Sequence, residues 1–473
     1  MASNGGSRGP WRLLRTHRDL RLLLAAGLVS MTGDWLLGVG LTYAVYALTG
    51  STLASAATLL AAFVPQVVAG LVAGVFVDRW DRKRTMVGAN LLLALGLLPL
   101  VLLDTADRIW LVYPVLVWEA LVEMFFAPAE QAMLPRVVGD GEHTEGDLVT
   151  ANALNAQNQN LSRLLGGALG GVAAAAGGIT AVALLDAVTF VVATVLVLRI
   201  RTSGRVRPGG LDKLDRPGGL DKLDRPGDRP GGLDKLDRPG GLDKLDRPGD
   251  RPGDRPDVRG RFAALREEWV EGWRASWHSP VVRVLLVFGL ITATGEGVMG
   301  TLFAPYVRDV LHGSAAVLGV VTSAQAVGGI VGAFVVAHLG DRLRPVLMLG
   351  AGSVVFGLVD LAIFVYPLLL AAPWPAVLGM VVVGLPGALV SAGMMTLFQR
   401  HTLDAQRGRV FSLVFVTRAV STVVGTVCAG FLGGSVGIVP VLAFQGVGYV
   451  AAGCLVLGLL AGKRSEEATR VAV

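Results

Sequence analysis

The sequence has too little charge for an ordinary soluble protein and too little cysteine for a disulfide framework. Only 16% of its 473 residues are charged, whereas an ordinary soluble domain has about 25%, and the mean hydropathy is +0.59. This shortage excludes most cytosolic enzymes and also excludes disorder as the state of the whole chain. Two cysteines and six scattered histidines offer no disulfide framework and no metal cluster. The net charge of +6 does not indicate nucleic-acid binding, because polytopic membrane proteins retain Lys and Arg on their cytoplasmic side.

Long apolar runs dominate the remainder of the sequence. Twelve of them reach about 20 residues, the length that crosses a bilayer as an α-helix, and six lie on each side of a charged central segment. The first run is too long for a signal peptide and is interpreted as a retained helix. The sequence therefore predicts an all-α polytopic membrane protein with two six-helix halves. The predicted spans are 20–47, 53–76, 85–103, 109–133, 150–175, 179–199, 281–304, 315–338, 345–367, 374–398, 409–432 and 437–461.

Arginine and lysine in the short loops predict the orientation of the helices. With twelve spans, nearly all of these residues fall on one side, and the opposite loops hold little more than Arg108 and Arg308. Because cytoplasmic loops retain Lys and Arg, we expect both termini and the central segment to lie in the cytoplasm. The abundance of arginine, alanine, valine and glycine is typical of a GC-rich bacterial genome, which places the helices in a bacterial inner or plasma membrane.

The central segment consists of repeats. Arg-Pro-Gly-Gly-Leu-Asp-Lys-Leu-Asp begins at Arg207, Arg216, Arg229 and Arg238, and each copy has as many positive as negative charges. Large apolar residues are too few to offset the entropy cost of ordering, and Pro-Gly interrupts any helix. We predict a disordered cytoplasmic linker, with docking of a partner as the alternative.

A tryptophan-rich stretch follows the repeats. Three tryptophans recur every four residues within 261–278, which predicts an amphipathic helix lying in the inner membrane interface. The predicted organisation is a cytoplasmic segment 1–19, a six-helix bundle 20–200, the linker 201–260, the interfacial helix 261–278, a second six-helix bundle 279–462 and a cytoplasmic tail 463–473.

The loop after the second predicted helix carries a recognisable signature. From Gly74 it reads Gly-Val-Phe-Val-Asp-Arg-Trp-Asp-Arg-Lys-Arg, and a shorter copy, Gly-Asp-Arg-Leu-Arg, follows the eighth helix. The sequence resembles the Major Facilitator Superfamily, whose signature Gly-x-x-x-Asp-Arg-x-x-Arg-Arg/Lys lies at this position. The resemblance implies two pseudo-symmetric halves and a cytoplasmic switch loop that latches helix ends. The matching residues are Gly74, Asp78, Arg79, Arg82, Asp341 and Arg342.

Other motifs are similar to the branch of that superfamily with macrolide-efflux proteins and siderophore exporters. The resemblance covers nearly the whole chain except the repeats. Its motifs are Ser30-Met-Thr-Gly-Asp, Leu48-Thr-Gly-Ser, Pro128-Ala, Leu134-Pro, Ala151-Asn-Ala, Leu185-Asp-Ala and Arg407-Gly-Arg-Val-Phe.

Helix five contains small residues at a spacing that allows close helix packing. Arg-Leu-Leu-Gly-Gly-Ala-Leu-Gly-Gly from Arg163 is similar to the antiporter signature Gly-Pro-x-x-Gly-Gly, with Gly167 in place of proline. The missing proline leaves strict antiport open, and tight packing alone would also explain the run. The packing candidates are Gly166, Gly167, Gly170 and Gly171.

Ionisable side chains inside the predicted spans are the candidate proton-coupling groups, because burying them in a bilayer is costly. Asp34 lies roughly 21 Å into helix one at 1.5 Å per residue. Glu119 and Glu123 share one face of helix four, and Arg163 of helix five lies at a similar depth. We expect Arg163 to contact one glutamate, which leaves the other carboxylate able to carry a proton. Glu296 is the candidate in the second half.

Other charged residues in the spans receive structural roles. Asp360 and Arg418 are assigned to packing or to an extension toward the interface, and Asp186 to helix packing near the outer end of helix six. Structural pairing without proton transfer is the alternative for the coupling candidates as well.

Polar and aromatic residues of helices one and five are candidates for contacts with a substrate. Helix five is unusually polar, so we expect part of it to line a water-filled cavity. The aromatic residues could instead anchor helix ends at the membrane interface. The candidates are Trp35, Tyr43, Tyr46, Gln157, Asn158 and Asn160.

The expected function is proton-driven efflux of a small amphipathic compound, such as a drug, macrolide, siderophore or secondary metabolite, by alternating access. An importer of the same fold is the first alternative, and a non-transporting receptor is the second. The sequence shows no clustered catalytic groups and no phosphate-binding loop, so we expect neither an enzyme nor an ATP-driven pump. We expect a monomer in the lipid bilayer, with no metal, no nucleic-acid partner and no cofactor besides the proton gradient.

Overall fold

A computed structural model describes residues 10–77, 80–103, 105–139, 144–204, 279–370, 372–402 and 407–461. The linker repeats, the predicted interfacial helix 261–278 and the tail 463–473 lie outside the described residues. Asp78 and Arg79 of the switch loop also lie outside them. The boundaries of the linker therefore stay predictions.

The first half contains six spanning helices after a short helix, Pro10–Thr16. They are α1 (Arg18–Thr49), α2 (Thr52–Val77), α3 (Arg82–Gly96), α4 (Val112–Val138), α5 (144–176) and α6 (179–198). The 3₁₀ segments Leu98–Leu102 and Ala106–Leu111 follow α3 and precede α4.

The second half repeats this arrangement. Its helices are α7 (Pro280–Pro305), α8 (Ala315–Leu339), α9 (Pro345–Val365), α10 (Trp374–His401), α11 (Arg407–Ser435) and α12 (Ile438–Val456). A π-helical turn, Tyr306–Val310, extends α7, and a second one, Leu457–Ala461, extends α12. π-Helical turns are rare in proteins, and those that occur often lie at functional sites.

The helices α5 and α6 follow each other without a loop inside the stretch Thr144–Leu198. Gly178 has a φ of +61°, a left-handed value that glycine adopts without a steric penalty. The chain reverses at this point, because Gly40 of α1 lies against both Gly170 of α5 and Val182 of α6.

The prediction of twelve spans is confirmed. Ten helical stretches of the described chain are long and apolar enough to cross a membrane. One of them, Asp147–Leu198, contains both α5 and α6, and the shorter apolar helix Thr52–Val68 lies within α2. The described residues therefore form an all-α fold of two six-helix halves.

Successive helices alternate in direction between two faces of the bundle. We call the face where α1 begins the terminal face, and the face where α1 ends the distal face. At the terminal face, Asp19 accepts hydrogen bonds from the backbone N–H groups of Arg201 and Thr202, at 3.0 and 2.8 Å. Nearby, Nζ of Lys83 donates to the carbonyl of Ile200 at 2.7 Å. These bonds join the starts of α1 and α3 to the end of α6.

Glycines bring α5 close to helices of both halves. A Cβ on Gly171 would lie 2.9 Å from Cα of Gly319 in α8, and one on Gly170 would lie 2.9 Å from Cα of Leu36 in α1. Small residues permit such close backbone approach between helices in a membrane. Of the four glycines singled out in the sequence, Gly166 and Gly170 lie against α1, and Gly167 and Gly171 lie against α8.

Candidate functional site

A cavity of about 1200 Å³ lies between the two halves. Its wall is mostly apolar and includes Phe288, Met299 and Phe303. A large apolar pocket with a few convergent polar groups is the usual form of a small-molecule site. The lining residues with polar atoms in their side chains are Trp35, Thr42, Asn160, Arg163, Thr292, Glu296, Thr322, Gln325, Asp360, Ser391, Arg418, Gln445 and Tyr449.

The cavity extends toward the terminal face. Ala337 lies at the end of α8, Phe398 near the end of α10, and Phe411 near the start of α11. All three helix ends lie at the terminal face, and all three residues line the cavity. A molecule entering from this face would reach the polar groups deeper inside.

Contacts between the halves close the distal face. The hydroxyl of Tyr43 donates to the carbonyl of Gly313 at 3.0 Å, and the hydroxyl of Tyr46 donates to Asp309. Arg308 donates to the carbonyl of Tyr46 at 2.9 Å, and its guanidinium carbon lies 5.6 Å from the centroid of the Tyr46 ring. We call these five residues the distal gate.

Arg163 reaches across to the second half. It donates a hydrogen bond to the side-chain oxygen of Gln325 in α8, and its guanidinium carbon lies 5.1 Å from the centroid of the Trp35 ring. Its Nε is buried without a hydrogen-bond partner. The expected contact between Arg163 and Glu119 or Glu123 is wrong for this conformation.

The physical reason for that error is the rotation of α5 about its axis. Gly166 packs against the backbone of Thr32 in α1, so α1 lies beside α5 on the side toward the first half. The face bearing Arg163 turns toward α8 and the cavity. Depth along a helix is predictable from the sequence, but the direction in which a side chain points depends on these contacts.

Carboxyl groups from three helices gather inside the first half, beside the cavity and not in its lining. Asp34 of α1 lies within electrostatic range of Glu119, Glu123 and Glu130 of α4 and of Asp186 of α6. We call these five residues the carboxylate cluster. Carboxylates within electrostatic range of one another repel when all are ionised, and binding of a proton relieves that repulsion.

The hydrogen-bond partners within this cluster are neutral. Nε2 of Gln66 in α2 donates to Glu123 at 2.8 Å, and Oγ1 of Thr189 donates to Asp186 at 3.1 Å. Oδ2 of Asp186 is buried without a hydrogen-bond partner. Within the described part of the chain, no arginine or lysine pairs with any of the five carboxyl groups. The cluster therefore lacks the positive charge that sequence reasoning expected there.

Sequence reasoning missed Glu130 and the full role of Asp186. Glu130 follows Glu123 by seven residues, or about two turns, so the three glutamates share a face of α4; this spacing was the available signal. Asp186 does pack against α1, because a Cβ on Gly33 would collide with its carboxyl group. That packing also places its carboxyl group in the cluster.

The second half presents paired charges to the cavity. Arg418 donates to both carboxylate oxygens of Glu296, at 2.8 and 2.9 Å, and the hydroxyl of Tyr449 donates to Glu296 at 3.3 Å. Nε2 of Gln445 donates to Asp360 at 3.0 Å. The assignment of Arg418 to packing or to the interface is therefore wrong, since it pairs with Glu296 in the cavity lining. Asp360 borders the cavity but is buried against Gln445, which fits its assignment to packing.

The residues expected to line the cavity divide into two groups. Trp35 and Asn160 do line it, whereas Tyr43 and Tyr46 belong to the distal gate. Nδ2 of Asn158 donates to the carbonyl of Leu24 at 2.8 Å, which packs α5 on α1. Gln157 is exposed and is not among the lining residues. Helix polarity alone does not distinguish these positions.

The sequence profile of the Major Facilitator Superfamily matches residues 23–294 and again residues 285–472. The two matches together cover nearly the whole chain. The chain belongs to the Major Facilitator Superfamily. It is therefore a multi-pass membrane protein with the fold of that superfamily, and its two profile matches agree with the two six-helix halves.

Two curated relatives of this superfamily member are named as exporters. The enterobactin exporter EntS of Citrobacter koseri is 24% identical over 461 residues, which covers 95% of this chain and 93% of the exporter. Macrolide efflux protein A of Streptococcus pyogenes is 27% identical over 175 residues, which covers 37% of this chain and 42% of that protein. The chain thus matches less than half the length of the macrolide efflux protein.

Among solved structures, a crystal structure of a point mutant of the peptide transporter POT has a TM-score of 0.66. The two chains are 15% identical, and the alignment covers 93% of this chain and 94% of the other. At this identity the likeness shows a shared transporter fold and no more.

The switch loop of this superfamily member joins α2 to α3. Gly74 lies in α2, and the backbone N–H of Arg82, the first residue of α3, donates to the carbonyl of Gly204 at 3.1 Å. Asp81 caps α3 by accepting a hydrogen bond from the backbone N–H of Arg84 at 3.2 Å, a capping residue that stabilises the helix start.

The second copy of the loop joins α8 to α9. Asp341 and Arg342 belong to the 3₁₀ turn Gly340–Arg342, and Arg342 is exposed. The two loops therefore occupy equivalent positions in the two halves, as the internal duplication predicts.

Proposed function

We propose that this superfamily member exports a small amphipathic compound from the bacterial cytoplasm, driven by proton entry. The observation that carries the proposal is the placement of a large cavity, closed by the distal gate, beside a cluster of five carboxyl groups that have no basic partner among the described residues. The names of EntS and of macrolide efflux protein A favour export. A macrolide, a siderophore, another drug or a secondary metabolite fits the amphipathic wall.

The terminal face is assigned to the cytoplasm. Arginines and lysines of the short loops concentrate there, and such loops are retained on the cytoplasmic side. Both termini are then cytoplasmic, and the cavity extends toward the cytoplasm while the distal gate closes the outer side. This is the conformation in which an exporter takes up its cargo.

Helix α1 connects the two sites. Asp34 and Trp35 are consecutive, so their side chains diverge by roughly 100° around the helix axis. Asp34 faces the other four carboxyl groups of the carboxylate cluster, whereas Trp35 lines the cavity beside Arg163. A change of protonation on one side of α1 therefore changes the forces on a helix whose other side lines the cavity.

Alternating access follows from these parts. Protonation of the cluster removes repulsion among carboxylates and favours one packing of α1, α4 and α6, while deprotonation favours another. The two halves rock about the central cavity, and the distal gate opens as the terminal side closes. The proposed energy source is the proton gradient, with no cofactor and with a monomer as the working unit.

The test is proton-driven uptake into inverted membrane vesicles. A panel of macrolides, catecholate siderophores and amphipathic drugs is first screened for thermal stabilisation of the purified protein, because ligands of the folded state raise its midpoint. The best ligand is then followed into vesicles with an acidic lumen. We expect Asp34→Asn and Glu123→Gln to lose most gradient-driven uptake while still binding the ligand.

The matched control is Asp107→Asn, which neutralises an exposed carboxylate in the distal loop before α4. It should transport at the wild-type rate. If Asp34→Asn and Glu123→Gln both transport normally with an unchanged pH dependence, the assignment of coupling to the cluster fails. Uptake that requires an alkaline lumen instead would indicate an importer of the same fold.

A further inference from the structure

Arg163 lies in the cavity wall, and its neighbours compensate its positive charge only in part. Its hydrogen-bond partner is the neutral amide of Gln325, and its guanidinium lies over the ring of Trp35. Its Nε is buried without an acceptor. Among the described residues, no carboxylate forms an ion pair with it. An arginine inside a membrane protein is costly unless an anion or several acceptors compensate its charge.

The other charged groups of the cavity wall already have partners. Glu296 and Arg418 neutralise each other through two hydrogen bonds. Asp360 borders the cavity but is only 2% exposed and accepts a hydrogen bond from Gln445, so it offers a ligand almost no surface. The carboxylate cluster lies on the other side of α1. Among the described lining residues, Arg163 is therefore the partly exposed charge that no opposite charge compensates.

We propose that Arg163 binds an anionic group of the transported compound, which makes the preferred cargo an amphipathic organic anion. This inference rests on the proposed function, since it assigns the cargo class of the same cavity. A guanidinium binds a carboxylate through two parallel N–H donors, and such charge-assisted bonds are stronger than neutral ones. The apolar body of the cargo would pack on Trp35, Met299 and Phe303.

Gln325 and Trp35 hold the guanidinium ready for the anion. Trp35 lies against the guanidinium face, and Gln325 bonds one of its nitrogen atoms. Since Arg163 belongs to the first half and Gln325 to the second, an anion bound between them contacts both halves. Such a position lets bound cargo influence how the halves pack.

The test compares two probes that differ by one charge. Dansylglycine carries a carboxylate, and its methyl ester is neutral with almost the same apolar body. Binding is measured by dansyl fluorescence on the full chain in lipid nanodiscs, without a proton gradient. For the wild type we expect the acid to bind at least about tenfold more tightly than the ester. In Arg163→Gln this ratio should fall to about one, with the affinity for the ester unchanged.

Two further variants separate binding by Arg163 from a merely structural role. Arg163→Lys keeps the charge and should keep part of the preference for the acid. Arg344→Gln, the control, removes an arginine that is exposed at the start of α9 and should leave the ratio unchanged. A purely structural role would weaken acid and ester equally. If Arg163→Gln fails to fold, the ratio of acid to ester affinity in the wild type and in Arg163→Lys still tests the inference.

The inference is overturned if the wild type binds the ester as tightly as the acid, or if neither probe binds below about 1 mM. It is also overturned if Arg163→Gln keeps the preference. Because no gradient is applied, the outcome is independent of proton coupling. A preserved preference for the acid with no proton-driven flux would reject only the proposed function.

Discussion

At the scale of single residues, the two halves differ in the partners of their charged side chains. In the second half, Glu296 and Arg418 compensate each other, and 43% and 32% of their side-chain surfaces remain exposed toward the cavity. In the first half, Asp34 and its neighbours have neutral partners or other carboxyl groups around them. Paired charges suit a fixed polar wall, whereas unpaired carboxyl groups suit gain and loss of protons.

The pair formed by Glu296 and Arg418 predicts non-additive stability effects. We expect Glu296→Gln and Arg418→Gln each to lower stability by about 1 kcal/mol or less, since the pair is partly solvated. The double variant should fall no further than the worse single variant, because groups in contact share one interaction. Thermal midpoints of the purified protein measure this. Combining Glu296→Gln with the distant Arg344→Gln should instead give additive shifts, and additivity in the contacting pair would contradict the ion pair.

At the scale of helices, the crossing of α5 and α8 supports the closed distal side. A Cβ on Gly171 would lie 2.9 Å from Cα of Gly319, closer than packed backbones tolerate. We expect Gly171→Ala to push the helices apart and to weaken closure of the distal gate. The readout is the distance between spin labels on Leu48→Cys and His312→Cys, which flank the gate, in a chain without Cys428 and Cys454.

The labelled Gly171→Ala chain should show a longer distance than the labelled parent. The control is Gly88→Ala in α3, where an added Cβ meets no atom within 4 Å. It should leave the distance unchanged. An unchanged distance in Gly171→Ala would mean that this crossing does not hold the distal side closed.

The helices also show which features of the fold could be predicted from the sequence. Apolar runs of sufficient length gave twelve spans, and the loop at Gly74 with its copy gave the duplicated family fold. The ends of helices were predictable within a few residues. The rotation of each helix was not, because it depends on contacts such as Gly166 on Thr32, and so Arg163 was assigned to the wrong neighbours.

Long-range contacts explain the other differences. Tyr46 reads as an interfacial anchor until the turn after α7 brings Asp309 to its hydroxyl. Arg418 reads as a packing residue until α7 places Glu296 beside it. In each case the residue type indicated a role near a polar environment, but the partner lies more than a hundred residues away in the sequence.

At the scale of the whole molecule, the linker is predicted to be a spacer. The stretch 207–257 has as many acidic as basic residues and adds nothing to the net charge. We expect deletion of 207–257, with 261–278 retained, to preserve expression, the thermal midpoint and most transport. Deleting 207–278 should be more harmful, because it also removes the predicted interfacial helix. Loss of expression on the shorter deletion would show that the repeats are structural.

The whole molecule combines a cavity between the halves, a closed distal gate and a carboxylate cluster on the far side of α1. If the protein is a proton-driven exporter as proposed, cargo and protons move through these parts in opposite directions. The direct measurement is the lumenal pH of proteoliposomes that contain purified protein, a trapped pH-sensitive dye and the ligand selected by thermal stabilisation, diluted into ligand-free buffer of equal pH.

Ligand leaving down its own gradient should draw protons inward, so the lumen should become more acidic. The rate of acidification should fall in Asp34→Asn and in Glu123→Gln and should be normal in Asp107→Asn. Because the sign of the pH change is what distinguishes the outcomes, the result does not depend on how the protein is oriented in the membrane. Proton-coupled export predicts acidification of the lumen; alkalinisation, or ligand efflux without any change of pH, would contradict it.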